Sequence, residues 1–173
     1  SEPKDADTSP EPVAVKADAE SGCAVAGELR TTLYGAIQVD IDWQAAALTC
    51  AGMPRPNGEG VRLRFAGQSD GRDLAIIVSM PEFDREATAK EFASTVTIIE
   101  EGSARFFNSP DLGNCWTEIE TLEPIGDQQD DSSDAFVIGG GLYCVSPLAE
   151  LNGDGSVTLN EMQFLGLLDW NAR

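Results

Sequence analysis

Residues 37–43 read Ile-Gln-Val-Asp-Ile-Asp-Trp, and this stretch decides the fold class. Large apolar side chains occupy every second position, and polar or acidic side chains occupy the positions between them. This two-residue period is typical of a β-strand that has one buried face and one face in water. Residues 61–65, Val-Arg-Leu-Arg-Phe, repeat the pattern with Arg62 and Arg64 on the wet face. The sequence therefore predicts an antiparallel sheet.

Further strand-like segments lie on both sides of these two. They cover residues 24–34, 73–80, 94–101, 103–108, 115–122, 135–145 and 156–165. About nine strands at this spacing point to a β-sandwich or a barrel. We expect an all-β, antiparallel β-sandwich of jelly-roll or immunoglobulin-like type. Only Asp84–Ala93 favours a short helix, because it follows Pro81 and is rich in Ala, Glu and Lys.

Residues 1–22 differ from the rest in composition. They contain three prolines and six acidic residues, and two valines are their only large apolar side chains. Such a segment buries too little apolar surface to offset the entropy of ordering it. We therefore expect an extended acidic tail before one domain at 23–173. Beside a β-rich body, the tail is also a candidate strand for the sheet edge of a neighbouring subunit.

The charge balance excludes several classes of function. The net charge is −19, from 30 acidic and 11 basic residues. Nucleic acids and anionic membrane surfaces would repel such a chain, whereas a cation or a basic protein surface would attract it. The chain contains no histidine, which removes Ser-His-Asp and Cys-His catalysis and every His-based metal site. No transmembrane run is present, so an integral membrane protein is not expected.

The four cysteines, Cys23, Cys50, Cys115 and Cys144, are widely spaced and form no Cys-x-x-Cys pair. Two disulfides explain them better than a zinc site does, and three pairings are possible. Proximity along the chain favours Cys23–Cys50 and Cys115–Cys144. Disulfides imply an oxidising compartment, so we expect a secreted, cell-surface or periplasmic protein whose signal or lipoprotein segment has been removed. The alternative is four buried thiols in a cytosolic protein.

Residues 150–161 have the one spacing that suggests a particular chemistry. Oxygen-bearing side chains fall at positions 1, 3, 5, 7, 9 and 12 of this window, with glycine at position 6. The segment resembles the calcium loop of EF-hand proteins. The resemblance implies calcium as a structural cofactor, with these ligands: Glu150, Asn152, Asp154, Ser156, Thr158 and Glu161. Position 1 is usually Asp rather than Glu, and the flanking segments read as strands rather than helices.

A turn without metal explains the same residues. Residues 152–155, Asn-Gly-Asp-Gly, form a strong hairpin sequence because Asn and Gly tolerate positive φ. A calcium-bound turn at a hairpin tip satisfies both interpretations. The polar run Asp127–Asp134 is interpreted as a solvated loop, with a second calcium site as the alternative.

Three other groups are weighed as sites. Asp40 and Asp42 share a strand face about 7 Å apart, which fits a solvated face better than a metal or glycosidase pair. The basic residues Arg55, Arg62 and Arg64 would bind an anion or, more simply, pair with nearby acids. The last group comprises aromatic side chains that would form core or stack on sugar rings: Tyr34, Trp43, Trp116, Tyr143 and Trp170.

Together these features predict a non-catalytic secreted or surface protein that acts in extracellular assembly, as a filament subunit for example, or in binding. Its partners would be further copies of itself or another extracellular protein. A carbohydrate-binding module, with exposed Trp116 or Trp170 stacking on a glycan, is the alternative. A glycoside hydrolase that uses a carboxylate pair is a weaker one.

Overall fold

The structure, a computed structural model, describes residues 23, 27–86, 89–125 and 134–172. Within these ranges eleven β-strands form one antiparallel sheet, and the only helical element is a 3-10 turn at Ala45–Ala47. The strands are β1 Glu28–Gly35, β2 Val39–Gln44, β3 Thr49–Pro54, β4 Val61–Ser69, β5 Arg72–Met80, β6 Glu91–Glu100, β7 Arg105–Asn108, β8 Cys115–Pro124, β9 Ala135–Cys144, β10 Leu148–Glu150 and β11 Ser156–Asp169. The predicted tail at 1–22 and most of the predicted loop at 127–134 lie outside the described residues.

The strand order across the sheet is β2-β1-β11-β9-β8-β6-β5-β4-β3. Two of these positions hold interrupted strands. One edge of β6 pairs with β8 through residues 91–94 and with β7 through residues 97–100. In the same way, β9 and β10 follow each other along one edge of β11, and β10 also pairs with β7. The eleven strands therefore occupy nine positions.

Strands that follow each other along the chain mostly lie side by side, and β11 closes the arrangement by pairing with β1. The predicted all-β, antiparallel class with about nine strands is confirmed. The order differs from both named topologies, since jelly-roll and immunoglobulin folds use Greek-key connections whereas this sheet runs in chain order. Hydrophobic alternation specifies faces but carries no information about which strands pair.

The sheet curls so that β3 and β4 pack over β11 and β2, which gives a sandwich-like body. At Gly52 on β3 the two layers touch through their backbones, since a Cβ there would lie 2.1 Å from the carbonyl oxygen of Leu167. Trp43 on β2 reaches across to β4, and its Nε1 donates to the carbonyl of Gln68 at 3.0 Å. Because Gly52 has no side chain to keep the layers apart, β3 can approach β11 closely at this residue.

Alternation is strict where the sequence predicts it. Val39, Ile41 and Trp43 are at most 5% exposed, while Asp40 and Asp42 point into water. Each such side chain contributes about 1.5–3 kcal/mol by leaving water. The same inward rows across the sheet supply one continuous core, which includes Leu29, Phe65, Ile76, Ile98 and Phe107.

The predicted helix at Asp84–Ala93 is wrong. Residues 84–86 form a turn, and residues 91–93 begin β6 and pair with residues 116–118 of β8. Phe92 is buried in the core. Helix propensity in so short a segment amounts to a few tenths of a kcal/mol per residue, and a buried aromatic ring with a strand partner outweighs it.

Two disulfides join Cys23 to Cys50 and Cys115 to Cys144, which is the pairing expected from proximity along the chain. The first ties Cys23, which precedes β1 in the chain, to β3, and the second joins directly opposite residues of β8 and β9. No helix in the described ranges is long and apolar enough to cross a membrane.

Candidate functional site

The outward faces of six neighbouring strands bring polar side chains into two parallel rows. Register sets both rows, because directly paired residues point to the same side of a sheet. In the sheet order β2, β1, β11, β9, β8 and β6, the first row consists of Asp42, Arg30, Gln163, Gly141, Glu118 and Glu91. The second row consists of Asp40, Thr32, Glu161, Tyr143 and Trp116.

A β-bulge in β11 sits in the middle of the second row. Asn160 and Glu161 together oppose the single residue Thr32 of β1, and both are exposed. The hydroxyl of Thr31 donates to the carbonyl oxygen of Glu161 at 2.7 Å, which holds the bulged backbone. The Thr32 hydroxyl donates to the Asp40 carboxylate at 2.8 Å. A bulge re-aims side chains, and here it presents two adjacent polar groups on one face.

Two concave regions meet at Glu161 and Gln163 on this face. One, of about 430 Å³, lies over β1, β2 and β11, and the other, of about 100 Å³, lies over β6, β8, β9 and β11. We call the surface they form the outer trough. Its outward-pointing lining comprises Arg30, Thr32, Tyr34, Asp40, Asp42, Glu91, Glu118, Glu120, Tyr143, Asn160, Glu161 and Gln163, together with Gly141. A Cβ at Gly141 would lie 3.0 Å from the Gln163 amide nitrogen, so the glycine leaves room for the Gln163 side chain.

The outer trough has a large excess of negative charge. It holds six carboxylates against one arginine, Arg30, which lies 3.5 Å from Glu28. Within the described ranges, none of the six carboxylates is in salt-bridge contact with a lysine or an arginine. Some acids on other surfaces have such partners, for example Glu101 with Arg64 at 2.9 Å, whereas others, such as Glu59 and Asp70, have none in the described ranges. The trough is therefore distinguished by the number of carboxylates that share one concave surface.

Two tyrosines are the exposed aromatic rings of this face. Tyr34 is 46% exposed and Tyr143 is 44% exposed. They lie on β1 and β9, the two neighbours of β11, so they are at least about 10 Å apart across the sheet. Both were among the aromatic candidates from the sequence.

The three tryptophans occupy other environments. Trp43 is core, as alternation predicts. Trp116 is partly buried, and its Nε1 donates to the carbonyl of Gly113 at 3.0 Å. Trp170 stacks on Phe83 with ring centroids 6.0 Å apart, and the guanidinium carbon of Arg85 lies 5.4 Å from the centroid of the Trp170 ring. Trp116 and Trp170 therefore pack against the protein, and among the five aromatic candidates the exposed rings are the two tyrosines.

Comparisons with protein-family models, with curated proteins and with solved structures found no match. What the outer trough does must therefore be inferred from its own residues.

The EF-hand-like segment lies at the end of the sheet, where residues 151–155 connect β10 to β11. Glu150 N donates to the carbonyl of Gly155 at 2.9 Å, so the segment forms the tight hairpin that the alternative interpretation predicts. Ser156, Thr158 and Glu161 all belong to β11. Glu161 lies about 16 Å along that strand from Ser156, in the outer trough. The six predicted ligands thus do not surround one point, although Glu150 and Asp154 remain at the hairpin.

Calcium binding stays a prediction. No group of three or more Asp, Glu, Cys or His side chains within the described ranges has the geometry to hold a metal ion. Calcium at the hairpin should raise the melting temperature relative to chelator, because a ligand that binds only the folded state stabilises it. An unchanged melting temperature would support the hairpin without metal.

The carboxylate of Glu150 has protein partners of its own. Arg105 donates to both of its oxygens, each at 3.0 Å, and Gly155 N donates to Oε1 at 3.1 Å. The hydrogen bond from Arg105 is the main reason that the pKa of the Glu150 carboxyl lies below its usual value, and the Gly155 N–H lowers this pKa further. The predicted first calcium ligand therefore anchors the hairpin to β7.

This pair predicts an acid-dependent loss of stability. A carboxyl whose pKa is lowered by folding stabilises the protein above its unfolded pKa, near 4.5, and this contribution disappears as pH falls through the folded pKa. Glu150→Gln should therefore lower the melting temperature at pH 7 and leave it nearly unchanged well below that pKa. Thermal melts across this range would test the difference. Glu59→Gln is the control, since no hydrogen bond to the Glu59 side chain occurs among the described residues; equal effects would contradict the assignment.

The remaining candidates are dispersed. Arg64 pairs with Glu101, Arg62 lies 3.8 Å from the sulfur of Met53, and Arg55 donates to the carbonyl of Glu59 at 3.3 Å. Neither Arg62 nor Arg64 is in salt-bridge contact with Asp40 or Asp42, because β4 is not a neighbour of β2. The structure thus assembles no anion site from the three arginines. Asp40 and Asp42 lie in the outer trough, where they accept hydrogen bonds from Thr32 and Gln44.

Proposed function

We propose that this protein is a non-catalytic extracellular binding protein, and that the outer trough docks a basic segment of a partner protein. The observation that carries the proposal is that six carboxylates and a single arginine line one concave surface. The disulfides support an extracellular or periplasmic location.

Charge and shape both favour a basic segment. A net charge of −19 accelerates the encounter with a cationic partner over long distances. At short range, a guanidinium group makes bidentate hydrogen bonds to a carboxylate and stacks on aromatic faces such as those of Tyr34 and Tyr143. The trough crosses six strands, or about 24 Å, which matches roughly seven residues of extended peptide.

The test neutralises carboxylates in the trough. The trough variant combines Asp42→Asn, Glu118→Gln and Glu161→Gln. We expect it to weaken binding of an oligo-arginine peptide, about seven residues long, by at least about tenfold in calorimetry. Binding should also fall steeply with salt, as charge pairing at an exposed surface requires.

A matched control removes the same charge from other surfaces. It combines Glu59→Gln, Asp70→Asn and Asp111→Asn, all at exposed turns. The net charge changes by the same amount in both variants. Because the control charges lie outside the trough and salt screens them, the control should weaken binding by no more than about twofold. Equal weakening by both variants would show that the peptide responds to overall charge and would overturn the trough as its site.

A glycan is the alternative ligand of the same surface. Tyrosine rings next to amide and carboxylate side chains also suit sugar recognition, since aromatic rings pack on apolar sugar faces. A glycan array with Tyr34→Ala and Tyr143→Ala controls separates the two ligands. If the wild type binds a glycan, both variants lose that binding and no oligo-arginine binding is found, then the ligand of the trough is a saccharide and not a basic segment.

Assembly through residues 1–22 is a second candidate. The supporting observation is the Cys23–Cys50 disulfide, which attaches the end of this segment to β3, a strand at the edge of the sheet. An added strand at a sheet edge is a common means of joining subunits. Deleting residues 1–20 should therefore convert assemblies to monomers in light scattering. A variant with these residues in scrambled order is the control for composition. Unchanged assembly after the deletion would show that the tail does not join the subunits.

A further inference from the structure

The chain contains two Asn-Gly pairs in exposed turns, Asn57-Gly58 and Asn152-Gly153. In such pairs the glycine nitrogen can attack the asparagine side-chain carbonyl, because glycine offers no steric hindrance. Asparagine is a thermolabile residue for this reason. Local sequence makes the two pairs equivalent, so any difference in reactivity must come from their hydrogen bonds.

The first pair is restrained on both reacting groups. Gly58 N, the nucleophile, donates to the carbonyl of Arg55 at 2.8 Å. The side-chain oxygen of Asn57, on the electrophilic carbonyl, accepts a hydrogen bond from Glu59 N at 3.0 Å. Both hydrogen bonds belong to the turn that closes this loop. Attack by Gly58 N requires the first to break, and the second holds the Asn57 side chain in its place in the turn.

The second pair is unrestrained. Neither the side chain of Asn152 nor Gly153 N makes a hydrogen bond to any described residue. Asn152 is exposed and has a φ of 61°, which places it at the tip of the hairpin. The backbone bonds that hold this loop do not involve the pair: Glu150 N donates to the carbonyl of Gly155, and Leu151 N donates to the carbonyl of Phe106.

We propose that Asn152 is a site of spontaneous deamidation. Gly153 N bonds to Cγ of Asn152 as the bond from Cγ to the side-chain nitrogen breaks, and that nitrogen leaves as ammonia, carrying its own two hydrogens and the proton lost by Gly153 N. The product is a cyclic succinimide. Water then adds to one of its two carbonyls and opens the ring, which yields aspartate or isoaspartate at position 152.

Either product changes the hairpin. Aspartate places a new carboxylate between Glu150 and Asp154, at the third position of the EF-hand-like window, where calcium loops prefer Asp or Asn. Isoaspartate inserts one more carbon into the backbone. Gly153 packs directly on the Glu150 carboxylate, since a Cβ there would lie 2.5 Å from the Glu150 carboxyl carbon. The isoaspartate form should therefore disturb the contact between Glu150 and Arg105.

Peptide mapping by mass spectrometry tests the site. The full chain is incubated in mildly alkaline buffer, and the conversion of amide to carboxyl is followed at both asparagines. Asn152 should react about tenfold faster than Asn57, the factor that corresponds to one or two hydrogen bonds. Isoaspartyl methyltransferase labelling should appear in the wild type and fall sharply in Asn152→Ala, where only the slower reaction at Asn57 contributes among the two pairs.

The unfolded chain is the internal control. In denaturant the two asparagines should react at similar rates, because the restraint on Asn57 is lost. A faster reaction at Asn57 than at Asn152 in the folded protein, or an Asn57 rate that does not rise on unfolding, would overturn the proposal. No conversion at Asn152 over an incubation that modifies the unfolded chain would overturn it as well.

Discussion

Replacing Gly52 with alanine should cost about 3 kcal/mol of unfolding free energy, at the upper end of the range for overpacked sites. The new Cβ would lie 2.1 Å from the carbonyl oxygen of Leu167 and 3.0 Å from Cα of Leu168. Both contacts are with backbone of β11, which cannot turn aside as a side chain can. The two layers would have to separate where the sheet closes on itself. Denaturant titration with linear extrapolation measures the loss.

Gly102→Ala is the matched control. No heavy atom lies within 4 Å of a Cβ at that position, and its φ is not in the left-handed region. Its unfolding free energy should equal that of the wild type or exceed it slightly. If Gly52→Ala is as stable as Gly102→Ala, β3 does not contact β11 in the way described.

Removing the Cys115–Cys144 disulfide should have an effect of similar size. Replacing both cysteines with alanine opens a loop with a sequence separation of 29 residues. The chain-entropy relation gives a loss of about 3–4 kcal/mol for such a loop. A domain of this size is stable by only about 5–15 kcal/mol, so either change removes a large part of the total.

The cross-link must be separated from the volume of the two sulfurs. In a Cys23→Ala and Cys50→Ala background, Cys115–Cys144 is the remaining disulfide among the cysteines of the chain. A reductant then breaks this bond and leaves both side chains in place. The reduced protein should lose most of the stability that the double alanine variant loses. Unchanged stability on reduction would show that the cross-link contributes nothing.

The sequence predicts the parts of this fold that depend on one strand at a time. Alternation between residues 37 and 43 is a local property, and so is the turn preference of residues 152–155. Strand order was not predictable, because every strand presents the same period and the partners differ only in how well whole faces fit. The helix at Asp84–Ala93 failed for the related reason that Phe92 is buried by residues distant in the chain.

The outer trough was visible from the sequence only in fragments. Asp40, Asp42, Tyr34, Tyr143 and Glu161 were each named, but in three separate groups: an acid pair, the aromatic candidates and the calcium ligands. Their proximity depends on register and on the bulge at Asn160–Glu161, which shifts side chains by one position and which no local pattern predicts. An alternating acidic pattern repeated on several strands was the available signal.

The pairing of β1 with β11 has a consequence for how the protein matures. Thr31 and Glu161, which are bonded across this pair, are 130 residues apart in the chain. Most other neighbours in the sheet are joined by short connections, so they can zip together early, while this contact must wait for the ends of the chain to meet. The outer trough straddles that seam. We therefore expect the ability to bind a partner to appear only at the last step of folding. A bound partner should hold β1 and β11 together and slow any unfolding that begins with their separation.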